Sequence, residues 1–294
     1  MSDLKEALNK SFNRALLSVV EGLRANGKRL IPCVVSLSNH DGNQPFQNPL
    51  KLFFLALSFY TRLPAPKDQD YNQLPQASVY LPLVGWVVGG LTGLSFYLAN
   101  LLWPQSTAVI LSLICGILLT GAFHEDGFAD VCDGFGGGYG KQRILEIMKD
   151  SQIGVYGALG LLLLMSLKIS LLSTIPTTAI PLILLTGHSL SRFSPLLLMR
   201  ICDYARGDNS KSSAAIYKPD IHELLFAGTF AFLPLLLLPL ICSLAIPFML
   251  LVNWRLGRYF HHHIGGYTGD CLGASQQVAE IIFYLSASAL WTFT

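Results

Sequence analysis

The chain alternates between long apolar runs and short polar, glycine-bearing stretches, and the first 47 residues stand apart from that pattern. There Leu4, Leu8, Phe12, Ala15, Leu16, Val19, Val20 and Leu23 recur at helical spacing, with Lys5, Lys10, Arg14 and Glu21 between them. This predicts an amphipathic helix ending near Gly22 or Gly27, either lying on a membrane surface or docking on a partner, or else a dispensable extension. It lacks the uninterrupted apolar core of a signal peptide. Residues 40–49 read as a polar linker. Two regions follow: 1–47 as extension and linker, and 48–294 as the main domain.

A membrane-spanning helix needs about 20 apolar residues. Residues 50–60 are apolar but short, which predicts a re-entrant or interfacial helix. Residues 79–103 and 106–123 predict a spanning hairpin, as do 153–174 and 178–199, each with a short uncharged turn. The run 223–252 carries Pro234, Pro239 and Pro247, and either crosses once with a kink or twice as a hairpin. Residues 274–292 predict a last span. Arg62, Lys67, Lys141, Arg143, Lys149, Arg200, Arg206, Lys211 and Lys218 fall in loops on one side, cytoplasmic by the positive-inside rule. A double crossing puts Arg255 and Arg258 on that same side, which favours the hairpin. The predicted fold is an all-α polytopic membrane helix bundle of about six to eight membrane helices, with its polar loops on the cytoplasmic face.

Composition agrees. The chain is 52% hydrophobic and 13% charged, against about 25% charged in soluble domains. The net charge of +2 points to neither acidic nor basic partners, and no nucleic acid is expected. The six cysteines are scattered without a CxxC pair, so they read as small buried hydrophobes.

The chemistry concentrates at residues 124–134, His-Glu-Asp-Gly-Phe-Ala-Asp-Val-Cys-Asp-Gly, which hold four of the chain's 18 acidic residues. Asp126, Asp130 and Asp133 share one face of a helix, and such like charges near a membrane call for a cation. Mg²⁺ takes oxygen ligands, often one or two carboxylates plus substrate phosphates. Glycines follow, among them Gly134, Gly136 and Gly137, which allow close backbone approach to a phosphate, with Lys141, Arg143 and Lys149 supplying positive charge. The set suits phosphoryl transfer; the plainer alternative is a flexible connector with solvated charges. Asp150 either completes the ion site, accepts a proton from an attacking hydroxyl, or is an ordinary helix-end carboxylate beside Lys149. His124 either contacts a leaving phosphate or sits at the membrane interface. Arg192, with His188, interrupts an apolar span, either to bind phosphate or to balance the aspartates. Thr268 and Asp270, in a second glycine-rich loop, either cap the last helix or touch substrate or metal. His261, His262 and His263 are adjacent and do not share a helix face, which argues against a metal site.

Residues 124–134, Met148-Lys-Asp-Ser-Gln-Ile-Gly154 and Gly266-Tyr-Thr-Gly-Asp-Cys-Leu-Gly273 resemble the cobalamin synthase family, adenosylcobinamide-GDP ribazoletransferases. Phe59–Pro64 and Gly187–Arg192 match in the same order, and the resemblance spans roughly 50–294. It implies a Mg²⁺-requiring, multi-pass enzyme of the cytoplasmic (inner) membrane with its active site facing the cytoplasm. The implied reaction joins adenosylcobinamide-GDP to α-ribazole or its 5′-phosphate, giving adenosylcobalamin or its phosphate and GMP. Glu125, Asp126, Asp130 and Asp133 would hold Mg²⁺, with Asp150 as base or further ligand and Arg192 stabilising charge. Membrane lipid surrounds such an enzyme, and a homo-oligomer is left open. Residues 1–47 have no expected counterpart in the family. Nor does the chain carry the Asp-x-His-x-x-Gly signature of cobalt ligation, since Leu225 stands where its glycine would be. The alternatives are a CDP-alcohol phosphotransferase of lipid synthesis, lacking here the expected Ala-Arg after Asp130-x-x-Asp133-Gly134, and an ion-coupled transporter, for which no second copy of the 124–154 sequence exists.

Overall fold

A computed structural model describes residues 48–64, 66, 69–205 and 217–292. The amphipathic segment and linker expected over 1–47, and the loop cations Lys67, Arg206 and Lys211, lie outside the described residues. Helix α1 (Pro49–Tyr60) is capped by the Asn48 side chain, which accepts the Leu50 amide. Short turns over Tyr71–Tyr80 lead into α2 (Leu81–Asn100), followed by α3 (Gln105–Thr120), α4 (Phe123–Gly137) and α5 (Lys141–Ile147). The rest is α6 (Val155–Thr174), α7 (Ile180–Ser191), α8 (Ser194–Ile201), α9 (Ile221–Phe232), α10 (Ala245–Ile264) and α11 (Gly269–Thr292). No strand occurs among the described residues, and the expected all-α bundle is what is found.

Among the described residues four helical segments are long and apolar enough to cross a membrane: Tyr71–Asn100, Val155–Thr174, Ile180–Ile201 and Leu240–Ile264. The pair α3–α4 makes a fifth if its bent halves count as one span. That is fewer than the six to eight expected, and the reasons are specific. Helix α1 and the arm Ile221–Leu237 are apolar but short. Helix α11, the expected last span, does not qualify, because Gln276, Gln277 and Glu280 lower its apolarity; all three are buried among the other helices.

Side-chain and backbone contacts define the two ends of the bundle. At one, the Gln105 amide donates to the carbonyls of Leu172, Ser173 and Ile175, and the Thr177 hydroxyl donates to Gln105, so the α2–α3 and α6–α7 turns lie together. At the other, the Arg62 amide donates to the Leu119 carbonyl. There too the Asp203 carbonyl accepts the Tyr267 amide, the Tyr267 carbonyl accepts the Ala205 amide, and Lys218 pairs with Asp203 at 2.7 Å. Lys218 and Tyr267 flank the excursion through α9 and α10, and both return to Asp203. The chain from 221 to 264 therefore goes out and back, as a hairpin broken at Leu238–Pro239 between two 3₁₀ turns.

Helix α2 packs on α7 along a glycine stripe. A methyl group at Gly85 would collide with the His188 carbonyl, and one at Gly89 would stand 2.7 Å from the Leu185 Cα. Close backbone approach is the usual means of joining helices in lipid, where no hydrophobic effect drives them together. Of the six cysteines, five lie among the described residues; none of these five is in a disulfide, and three are buried.

Candidate active site

The acidic motif forms a helix of its own, α4, bent by 91° from α3. The turn is made by two consecutive left-handed residues, Gly121 (φ 67°) and Ala122 (φ 60°). That conformation is routine for glycine and costly for alanine, so the right angle is held against local preference by its surroundings. The Arg62 guanidinium lies over Gly121, and α4 begins where the Asp126 amide finds the Ala122 carbonyl at 2.8 Å. On the far side α4 meets the start of α11 almost backbone to backbone. A Cβ at Gly127 would be 3.0 Å from the Asp270 Cα, and one at Gly273 would be 3.2 Å from the His124 carbonyl oxygen. Asp270 is thereby brought beside the acidic helix.

The four acids of α4 go three ways. Asp133 is buried, and its two oxygens accept the amides of Gly154 (2.7 Å) and Gly157 (2.8 Å), so it caps the start of α6. Glu125 turns inward, where one oxygen accepts a hydrogen bond from Gln277 at 3.0 Å and the other is buried without a hydrogen-bond partner. Asp126 is exposed and Asp130 half-buried, one helical turn apart on the outer side. Of the three aspartates expected to share a face, Asp126 and Asp130 stand together on the outer side and Asp133 caps the next helix.

Glu125 enters a polar core that sequence reasoning largely missed. Lys168 of α6, about 2% exposed, donates to Gln277 (2.7 Å) and pairs with Glu280 (2.9 Å). Gln276 donates to Ser191 and to the second oxygen of Glu280, both at 2.8 Å, and Gln277 donates to Gln276. Arg192, 1% exposed, donates to the His188 carbonyl at 2.9 Å, while its Nε has no hydrogen-bond partner. His124 is buried here, stacked at 6.4 Å against Tyr60. All of these but Ser191 and Tyr60 line one small cavity together with Thr120 and Gly116. Arg192 and His124, both expected at the site, are thus brought to Glu125. Lys168 and Glu280 carried a legible signal, each a lone charge within an expected span.

The remaining expected residues lie outside that cavity. Asp150 and Lys149 are exposed on the turn before α6, where the Asp150 side chain accepts the Gln152 amide. That turn is docked on α4 through Met148, which fills the notch at Gly134, and through the Asp133 cap. Gly134, Gly136 and Gly137 belong to the last turns of α4 and not to a loop. Gly136 makes room for the Tyr156 ring, and Gly137 lies in ordinary contact with Ile147. Lys141 reaches toward Gly265, and Arg143 pairs with Glu146 on the surface. Thr268 is buried and accepts the Cys271 amide at 3.4 Å while donating to Asp270 at 3.2 Å, which is a capping arrangement. Nearby, Lys218 holds the exposed Asp203 carboxyl below the usual carboxylate range, and burial pushes the Tyr267 phenol up to about 12.

Among the described residues no three His, Cys, Asp or Glu side chains are placed to hold a metal between them. The donor chemistry nevertheless fits Mg²⁺ in its commonest form, which uses one or two carboxylates and completes its shell with water and substrate phosphate. Asp126 is exposed and Asp130 half-buried, one helical turn away. Asp133 and Glu125 already have hydrogen-bond donors on them.

Comparison with known proteins agrees with the sequence resemblance. Residues 52–288 match the family model described as cobalamin-5-phosphate synthase. An adenosylcobinamide-GDP ribazoletransferase of Shewanella amazonensis is 43% identical over 256 residues, 84% of this chain and 98% of that protein. One of Shewanella frigidimarina is 43% identical over 247 residues, and one of Leptospira interrogans 40% over 252, covering 80% and 81% of this chain and 93% and 95% of theirs. No solved structure matches.

Proposed function

The chain belongs to the cobalamin-5-phosphate synthase family, and from that membership we propose that it joins adenosylcobinamide-GDP to α-ribazole or α-ribazole 5′-phosphate. The products are adenosylcobalamin or its 5′-phosphate, and GMP. The observation that carries this reading is the match over nearly the full length of relatives so named, with the acidic helix at its centre.

In the proposed reaction a ribose hydroxyl of ribazole attacks the phosphorus joined to cobinamide. A new P–O bond forms, the bond to the bridging diphosphate oxygen breaks, and GMP leaves with that oxygen. Asp150, exposed on the turn docked against α4, is the proposed acceptor of the hydroxyl proton. Lys141, Lys149 and Arg143 provide a cationic rim for the diphosphate, with Thr268 and Asp270 beside it. Arg192 and His124, behind α4, supply positive charge and a hydrogen bond on the leaving side. Asp126 and Asp130, with Glu125 on the same helix, would hold Mg²⁺, which when bound would supply positive charge to the diphosphate. Asp133 serves by fixing the end of the same helix.

The proposed location is the cytoplasmic membrane, with the site facing the cytoplasm. Arg62, Lys141, Lys149, Arg200 and Lys218, which the positive-inside rule assigns to that side, support it. Leu159, Leu162 and Leu163 of α6 are exposed apolar side chains suited to lipid. The test is a reconstitution in which purified protein, adenosylcobinamide-GDP, α-ribazole and Mg²⁺ are combined and then omitted one at a time. GMP and a cobalamin product should appear together only in the complete mixture. GMP release without ribazole, or solute flux with no GMP formed, would exclude the reading.

A further inference from the structure

The polar core contains a brace that no part of the proposed reaction uses. Its anchor is Lys168, a lone cation on α6 whose ammonium bonds two side chains of α11, Gln277 at 2.7 Å and Glu280 at 2.9 Å. From there two arms run to different elements. Gln277 donates at 3.0 Å to Glu125, on the acidic helix. Glu280 accepts from Gln276, which also donates to Ser191, the neighbour of Arg192; the same Glu280 oxygen stands 3.8 Å from His188 Nδ1. Gln277 also donates to Gln276 at 2.9 Å, tying the arms together.

The chemistry of this arrangement is particular. Burying an ammonium and a carboxylate at membrane depth is expensive, and a well-packed apolar pair would stabilise the bundle at least as well. Stability alone therefore does not account for it. What the pair does is fix both ends of the Gln277 side chain: its oxygen is taken by Lys168, so its amide nitrogen must donate away from Lys168, to Glu125 and Gln276. A planar amide held at one end leaves one orientation for the other. Glu125 has a second buried oxygen without a hydrogen-bond partner, so Gln277 is what holds its carboxylate, while Arg192, bonded to His188, keeps a buried Nε without one.

The geometry points to Gln277 and Glu280, locked by Lys168, as positioning residues that set Glu125 on one side and the Ser191–Arg192 segment on the other. They touch no reacting atom and act through those two groups. The inference rests on the proposed transfer reaction for its kinetic consequence, and on the hydrogen-bond wiring for its structural one.

The discriminating variant is Gln277→Glu. It keeps an acceptor for Lys168 and replaces the donor facing Glu125 with a like charge. Combining it with Glu125→Gln exchanges donor and acceptor and restores the hydrogen bond in reverse. The single variant should lower kcat at least tenfold with KM for both substrates within about twofold, and lower the melting temperature by about 3 °C or more. The double exchange should recover the melting temperature while kcat stays low, because the carboxylate has moved. Full turnover in the single variant overturns the inference, as does failure of the exchange to recover melting. If the wild type releases no GMP, the functional reading falls by itself, and the melting arm still decides whether Gln277 holds Glu125.

Discussion

The Asp133 carboxylate accepts the amide of Gly157 at 2.8 Å, and its other oxygen takes the amide of Gly154, so the last acid of the motif is the cap of the next membrane helix. A carboxylate at a helix N-terminus satisfies otherwise orphaned donors and faces the positive end of the helix dipole. Asp133→Ala should therefore destabilise the protein by about 1–2 kcal/mol, read as a lower melting temperature in detergent. The apparent affinity for Mg²⁺ should stay within a few fold of wild type. A variant that melts normally and loses Mg²⁺ dependence would return Asp133 to the metal site.

Close helix contact at the α2 glycine stripe gives a paired prediction. A methyl at Gly85 would meet the His188 carbonyl, whereas one at Gly90 meets nothing within 4 Å. Gly85→Ala should reduce the yield of folded protein and its activity together, since the α7 backbone carries His188. Gly90→Ala should match wild type in both. Equal behaviour of the two variants would remove the stripe from the account.

The buried ion pair predicts non-additivity. Lys168→Met leaves Glu280 charged, buried and without its cation, a loss of about 3–5 kcal/mol. Adding Glu280→Gln removes the stranded charge and should recover a large part of that loss, as read by thermal melting. Additive losses would mean that the 2.9 Å pair does not couple the two helices.

Several features of this site were legible in the sequence and others were not. The spacing of Asp126, Asp130 and Asp133 announced a helix, and α4 is one. Nothing local distinguished the last of them as a cap, because its donors lie more than twenty residues downstream. The glycines after Asp133 look the same in sequence whether they cradle a phosphate or make room for Met148 and Tyr156, and the structure shows the latter at Gly134 and Gly136. Lys168 and Glu280 were visible as single charges in apolar runs, yet hydropathy weighs them only as blemishes on a span. Their meaning depends on the pairing of α6 with α11, which periodicity cannot supply. For the run 223–252 charge alone favoured the double crossing; Ile221–Leu237 is apolar but short, and Asp203 ties the two ends of the 221–264 excursion together.

The most direct measurement is GMP and cobalamin formed from adenosylcobinamide-GDP and α-ribazole, comparing wild type with Asp130→Asn across a Mg²⁺ titration. The wild type should form both products one to one, and only with Mg²⁺. The variant should fall at least a hundredfold at Mg²⁺ levels that saturate the wild type, a loss of about 2.7 kcal/mol or more in transition-state stabilisation. Full turnover by a correctly folded Asp130→Asn protein would contradict the central role given to the outer face of the acidic helix.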